Sequence, residues 1–194
     1  MTEPGVPFGA RLFAIEGRID PAAFDSERRL SELASVFADP ARARAMAAAD
    51  DVVVYRGSTA PVPERQGEVG LATTRIEPGR VGDEFFMTHG HLHRLLEGEA
   101  YIGMAGQGGL LLRRGTEVAW VEMQAGIVGH IPPGWAHRTV NVGEEPFTFL
   151  AVYPRLAGHD YPPVAREGMG ARVLRARFGY RVVRDDGTEI AARR

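Results

Sequence analysis

The chain has 194 residues, 44% of them hydrophobic and 25% charged, with a formal net charge of −2; this is the balance of a globular domain, not of a disordered or fibrous chain. It has no basic run suited to nucleic acid, and no apolar stretch near the roughly 20 residues that a membrane-spanning helix needs. Cysteine is absent and all 23 basic residues are arginine, which excludes thiolate nucleophiles, thiolate metal sites and lysine Schiff-base chemistry.

The first residues, Met1-Thr2-Glu3-Pro4-Gly5, offer neither the charged nor the apolar region of an export signal, so a cytoplasmic location is expected. Asp25 to Ala48 is rich in Ala, Leu, Arg and Glu and free of Gly. It reads as two short helices separated at Asp39-Pro40, with Asp39 as N-cap and Pro40 at the first helical position. Residues 1–50 are thus expected to form a flank with short helices, used for packing or an oligomer contact.

From Asp51 the pattern changes to short apolar or alternating runs punctuated by Gly and Pro. Strands are expected at Val52–Tyr55, Gly70–Ile76, Glu84–His93, Glu99–Ala105, Gly109–Leu112, Val118–Met123, Ile127–Ile131, His137–Asn141 and Phe147–Tyr153. Turn residues every eight to twelve positions predict an all-β antiparallel sandwich or barrel over residues 51–165. The tail, residues 166–194, reads as an extension packed on that body. Its hairpin is expected from Val173 to Ile190, turned at Asp185-Asp186-Gly187.

The chemistry concentrates in Thr88-His89-Gly90-His91-Leu92-His93. Side chains two apart on a strand share a face, so His91 and His93 project together. His89 has the same parity, which leaves His89 and His91 as an alternative pair. Glu97 and Glu99 both follow at usable spacing, and His137 comes from a later strand. Two imidazoles, a carboxylate and a third imidazole make an N/O site for a divalent first-row metal.

Gly126, five residues, Pro132-Pro133-Gly134, two residues, His137, three residues, Asn141 resembles, position by position, the second motif of the cupin superfamily. His91-x-His93, Glu99 and Gly106 resemble the first. The resemblance implies a double-stranded β-helix, a jelly-roll-like barrel. Across Val52 to Tyr161 the chain is similar to the cupin-type glucose-6-phosphate isomerases of archaea and bacteria. That likeness rests on Gly79-Arg-Val-Gly-Asp-Glu-Phe-Phe-Met-Thr88-His-Gly90-His91-Leu-His93, Glu99-Ala-Tyr101 and Gly106-Gln-Gly-Gly-Leu-Leu-Leu. It rests also on Ile131-Pro-Pro-Gly-Trp-Ala-His137-Arg-Thr-Val-Asn141 and Gly158-His159-Asp160-Tyr161.

This second resemblance implies His91, His93, Glu99 and His137 as metal ligands, with one divalent metal per subunit. Iron(II) is the expected ion, and manganese, nickel and zinc are alternatives. It implies interconversion of glucose 6-phosphate and fructose 6-phosphate, with Glu99 as general base; a hydride shift assisted by Tyr153 is the competing account. Tyr55, Thr74, Thr88, Gly90, Tyr101, His159 and Tyr161 match the family's substrate-binding positions. His89 stands where the family often has lysine, and Arg113 where it often has glutamine. A small-molecule sugar phosphate is the expected partner, with neither nucleic acid nor membrane, and a homodimer is expected because cupin edge strands usually pair. A three-His, one-Glu set also suits iron(II) and dioxygen, so another metal-dependent cupin enzyme is the second reading, and a non-catalytic sugar-phosphate-binding cupin the third.

Overall fold

The protein is described here by a computed structural model covering residues 6–192; Met1 to Gly5, on which the export reading rests, lie outside the described residues. In chain order the elements are β1 (Arg11–Phe13), β2 (Arg18–Asp20), β3 (Phe24–Arg29), α1 (Leu30–Leu33), a 3-10 turn (Ala34–Val36) and α2 (Pro40–Ala49). Next come β4 (Val53–Thr59), β5 (Val69–Ile76), β6 (Arg80–Val81), β7 (Glu84–Phe85), β8 (Leu92–His93), β9 (Glu99–Ala105) and β10 (Gln107–Arg114). The chain continues through β11 (Glu117–Gln124), β12 (Val128–Ile131), β13 (Ala136–Asn141), β14 (Phe147–Pro154) and β15 (His159–Asp160). It closes with α3 (Pro162–Glu167), β16 (Ala171–Arg175) and β17 (Tyr180–Arg184).

The strands make an all-β, antiparallel architecture, as expected. One sheet runs β12-β9-β14-β5-β4-β3 and a second runs β11-β10-β13. Consecutive β9 and β10 lie in different sheets: β9 pairs with β14, and β10 with β13. A third sheet, β17-β16-β7-β6, joins the tail to the body through Leu174 opposite Glu84.

Between the sheets sits a continuous apolar core. Leu110, Leu111 and Leu112 are all buried although they alternate faces, because β10 is covered on both sides. Fully buried Trp120 donates its indole N–H to the Tyr180 hydroxyl at 3.1 Å, which ties the tail hairpin to β11. Asn141, the last residue of the second motif, is also fully buried. Its amide donates to the carbonyls of Ile76 (3.0 Å) and Glu145 (2.9 Å), and its oxygen accepts from Gly143 N–H at 2.9 Å. One side chain thus satisfies backbone groups that the turn after β13 would otherwise leave unpaired inside the protein.

Three expectations need correction. Residues 25–29 are not helical: they form most of β3, paired antiparallel with β4 from Phe24 opposite Thr59 to Arg29 opposite Val53. An unfilled sheet edge outweighs the modest helix preference of Asp-Ser-Glu-Arg-Arg. Helix begins only at Leu30, where Glu32 accepts from the Arg29 N–H at 2.8 Å. The second helix starts as expected, with the Asp39 carboxylate accepting from Arg42 N–H at 2.9 Å and Pro40 following.

The run from Glu84 to His93 is not one strand but β7 and β8, divided at Gly90, whose φ of 81° is a left-handed conformation. The tail hairpin, third, turns at residues 176–179, between β16 and β17, where Ala176 N–H donates to Gly179 O at 3.1 Å. Asp185-Asp186-Gly187 makes a separate turn after β17, closed by Arg184 N–H to Thr188 O at 2.8 Å.

Candidate metal centre

Each candidate ligand is positioned by backbone pairing. His91 and His137 face each other across an antiparallel bridge, exchanging N–H···O bonds of 3.1 and 2.9 Å. His93 ends β8 and Glu99 opens β9. One ligand atom from each of His91, His93, Glu99 and His137 can be chosen so that all four lie within 4.8 Å of one another. The Glu99 carboxylate lies 2.6 Å from His137 Nε2 and 3.5 Å from His93 Nε2.

The hydrogen bonding around this cluster is lopsided. His93 Nδ1 sits 2.8 Å from the Glu97 carbonyl and His137 Nδ1 sits 3.2 Å from the Trp135 carbonyl. A proton on each Nδ1 leaves the Nε2 lone pair bare, the tautomer that a metal-binding imidazole needs. On the other side, His91 Nε2, His137 Nε2 and Glu99 Oε1 are buried without a hydrogen-bond partner; with the His137 proton on Nδ1, the 2.6 Å approach of the last two brings two lone pairs together. Three orphaned buried polar atoms are costly, on the order of 1–3 kcal/mol each. A cation at their centre would take all three lone pairs, so the residues present fit a divalent metal.

The electrostatics of His91 and Glu99 agree with that donor set. Burial, then the charges of the neighbouring imidazoles, hold His91 well below the usual histidine range, so it stays neutral. Burial pushes the Glu99 carboxyl up, but the His137 and His93 imidazoles overcome it and hold the group at about 2, ionised at neutral pH. Two rival ligands drop out of the geometry. Glu97 contributes a backbone carbonyl and is not in the cluster, and neither is His89. Gly90's left-handed backbone cancels the parity argument for His89, whose ring instead meets Tyr161 edge-on at 5.1 Å.

The cluster opens on a cavity of about 440 Å³. Every substrate-binding candidate from the sequence lines it, as does Tyr153. Tyr55, Thr74 and Tyr153 come from the six-stranded sheet, Thr88 and Gly90 from the segment before β8, and His159 and Tyr161 from the turn around β15. Tyr101 lines it from β9, stacked on Phe149 at 4.5 Å. Among the ligand candidates, His93 alone is absent from the cavity wall; it approaches from behind. The Thr88 hydroxyl accepts from Thr139 N–H at 3.0 Å, and Thr88 N–H donates to Thr139 O at 2.9 Å. Arg138, fully buried on the face of β13 opposite His137, donates Nε and Nη2 to the His89 carbonyl at 3.2 and 2.6 Å. Gly70 lets the Tyr153 ring lie over the opposite strand, since a Cβ there would come within 2.6 Å of that ring.

The hydroxyls on this wall stay protonated. Burial pushes the phenols of Tyr55 (to about 12), Tyr101, Tyr153 and Tyr161 up, so they are hydrogen-bond donors at neutral pH. Sequence reasoning missed the wall formed by β3 and its neighbours. Phe24, Ser26 and Arg28 face the cavity from alternate positions of that strand, and Arg155 reaches it from the end of β14. The alternation was legible in principle, but the positions between them (Asp25, Glu27, Arg29) are polar too, so no contrast marked it.

The family model described as glucose-6-phosphate isomerase (GPI) matches residues 27–187 of the chain. The glucose-6-phosphate isomerase of Pyrococcus furiosus is 41% identical over 179 residues, covering 91% of this chain and 94% of the relative. That of Thermococcus litoralis is 41% identical over 182 residues, covering 93% and 95%. Among solved structures, an oxalate oxidase in complex with glycolate overlaps half of the chain with a TM-score of 0.43 at 19% identity, covering 47% of that protein.

Proposed function

The chain belongs to the glucose-6-phosphate isomerase family, which makes it an aldose–ketose isomerase between glucose 6-phosphate and fructose 6-phosphate, and we propose that it works through a divalent metal held by His91, His93, Glu99 and His137. One observation carries the metal reading: three of these four clustered residues have a buried donor atom with no hydrogen-bond partner. Iron(II) is the ion we assign, with manganese, nickel or zinc able to replace it, since N/O donor sets accept several ions. Bound there, the metal supplies a Lewis acid that makes the C2 proton of the open-chain sugar more acidic and stabilises enediolate charge.

The remaining steps belong to side chains. Glu99, ionised and at the cavity edge, takes the proton from C2; the electron pair forms the C1–C2 double bond, and the C1 oxygen takes up the proton that the C2 hydroxyl gives up. Returning the proton to C1 while the C2 oxygen becomes a carbonyl completes the ketose. Glu99 Oε1, which has no hydrogen-bond partner, would hold the metal, and the second carboxylate oxygen would carry this transfer. Tyr153, protonated and on the same wall, donates to a substrate oxygen; in the competing account it assists a hydride shift instead. Tyr55, Thr74, Thr88, Gly90, Tyr101, His159 and Tyr161 hold the sugar and its phosphate through hydroxyls, an imidazole and backbone N–H.

The test is a coupled assay of metal-loaded protein with fructose 6-phosphate. Glucose 6-phosphate should form; none at full metal occupancy would remove the isomerase reading and favour another metal-dependent cupin enzyme. We also assign a cytoplasmic homodimer. Sugar phosphates are charged and do not cross membranes unaided, and the exposed apolar residues Val6, Phe8, Leu12 and Ile15 around the β1–β2 hairpin offer a surface for association. Sedimentation at the 21.1 kDa of a single chain would remove the dimer.

A further inference from the structure

We propose that Arg28, on β3, is the cation that holds the substrate's phosphate and so selects phosphorylated over neutral sugars. This rests on the isomerase reading and deepens it. A phosphate dianion entering a half-enclosed cavity needs a positive charge as well as neutral donors. The chain has no lysine, and the residues lining the cavity include two arginines, Arg28 and Arg155.

Position separates the two. Arg28 lies directly opposite Tyr55 across the β3–β4 pair, so the two side chains share a face. Tyr161 is also within reach of the Arg28 charge, which counteracts burial at both phenols. The His89 ring meets Tyr161 edge-on at 5.1 Å. A guanidinium, two phenols and an imidazole therefore converge on one part of the cavity, with the Tyr161 ring bridging it to His91 at 5.8 Å. Arg155 lies beside Tyr153, at the end where the Glu99 carboxylate also acts. A dianion placed there would be repelled by that carboxylate.

Exposure of the two side chains also differs. Arg155 is three-quarters buried; its Nε donates to the Val62 carbonyl at 3.1 Å and its Nη2 meets Glu64 at 3.9 Å. Arg28 is half exposed; it gives Nη1 to the carbonyl of its neighbour Glu27 and meets Glu32 loosely at 3.7 Å. Such a solvated pair is weak, so an incoming phosphate can displace it. Arg28 therefore has donors to give. The result is a cavity lined by an ionised carboxylate and metal donors and, on β3, by a half-exposed guanidinium with only weak partners.

The experiment compares wild type, Arg28→Gln, Arg28→Lys and Arg155→Gln, each checked for metal content and melting temperature. Steady-state kinetics with fructose 6-phosphate and calorimetric titration with inorganic phosphate are measured on each. Arg28→Gln should raise KM and weaken phosphate binding about 10- to 100-fold, the loss expected for a charged hydrogen-bonding partner. Its kcat should fall far less, and Arg28→Lys should recover part of the loss. A KM and a phosphate affinity within twofold of wild type in Arg28→Gln would overturn the proposal, whatever Arg155→Gln does. Failure of the wild type to isomerise would instead strike the isomerase reading. Phosphate binding that depends on Arg28 would then still uphold this site, and equal or absent binding in both proteins would overturn it too.

Discussion

The two ends of the cavity are built on different principles. At the inner end, His91, Glu99 and His137 place buried donor atoms around a point with no hydrogen-bond partner, held by backbone pairs within 3.1 Å. At the outer end, Phe24, Ser26, Arg28 and Tyr55 line the cavity from two neighbouring strands, and the Phe24 and Arg28 side chains are themselves about half exposed or more. A dry, directional site tolerates few substitutions, because an orphaned polar atom there has no water to fall back on. A wet wall tolerates many, since each lost contact is partly replaced by solvent. The inner end should therefore break all at once and the outer end by degrees.

The largest effect is expected from the inner end. His137→Ala or Glu99→Ala removes a ligand outright and should weaken metal binding by more than the roughly 10–100-fold that loss of an outer hydrogen bond to a ligand costs. Isomerisation should fall to background with it, read by elemental analysis and the coupled assay. A variant still fully metallated and active would contradict the ligand assignment. Next comes the brace between the ends. Arg138→Met leaves the His89 carbonyl without its two donors and should cost about 1–3 kcal/mol, visible as a lower melting temperature and a raised KM. An unchanged melting temperature would mean that the segment from Thr88 to Gly90 is held by other contacts.

Gly90→Ala tests the same segment from the backbone side. At a φ of 81°, with Arg138 atoms 3.1 Å from the added Cβ, it should lose about 1–2 kcal/mol in denaturant unfolding. Equal stability would show that the left-handed conformation is not needed. The smallest effect sharpens the boundary of the cluster. Glu97→Gln leaves the backbone carbonyl that meets His93 in place and should keep metal content within about twofold of wild type, as expected for a side chain outside the ligand set. A metal-free Glu97→Gln protein would move the carboxylate ligand from Glu99 to Glu97.

The same contrast governs what could be read from the sequence. The strands from β9 to β14 were legible to within a few residues, because alternating apolar runs between Gly and Pro leave few registers that bury a face. The cluster residues were legible because a Pro-x-Gly turn and a fixed spacing place His137 at the start of a strand. The choice between His89 and His93 was not open to parity, since Gly90's left-handed backbone breaks the strand between them. Strand β3 stayed hidden for a related reason: a polar strand at a sheet edge shows no period of two, and its pairing with β4 depends on chain far away in sequence. Arg28 was lost with it. In the tail both turns close antiparallel pairs: Asp185-Asp186-Gly187 brings Glu189 back against Val183 as expected, and residues 176–179, which no turn signal singled out, join β16 to β17.

Titrating the metal back tests the two-ended cavity most directly. The protein is stripped with a chelator, and fructose 6-phosphate turnover is followed as iron(II) or manganese(II) is added stepwise under anaerobic conditions. Activity should rise from background in proportion to bound metal and level off at one ion per chain. Full activity in the stripped protein, or a fully loaded protein that forms no glucose 6-phosphate, would contradict it.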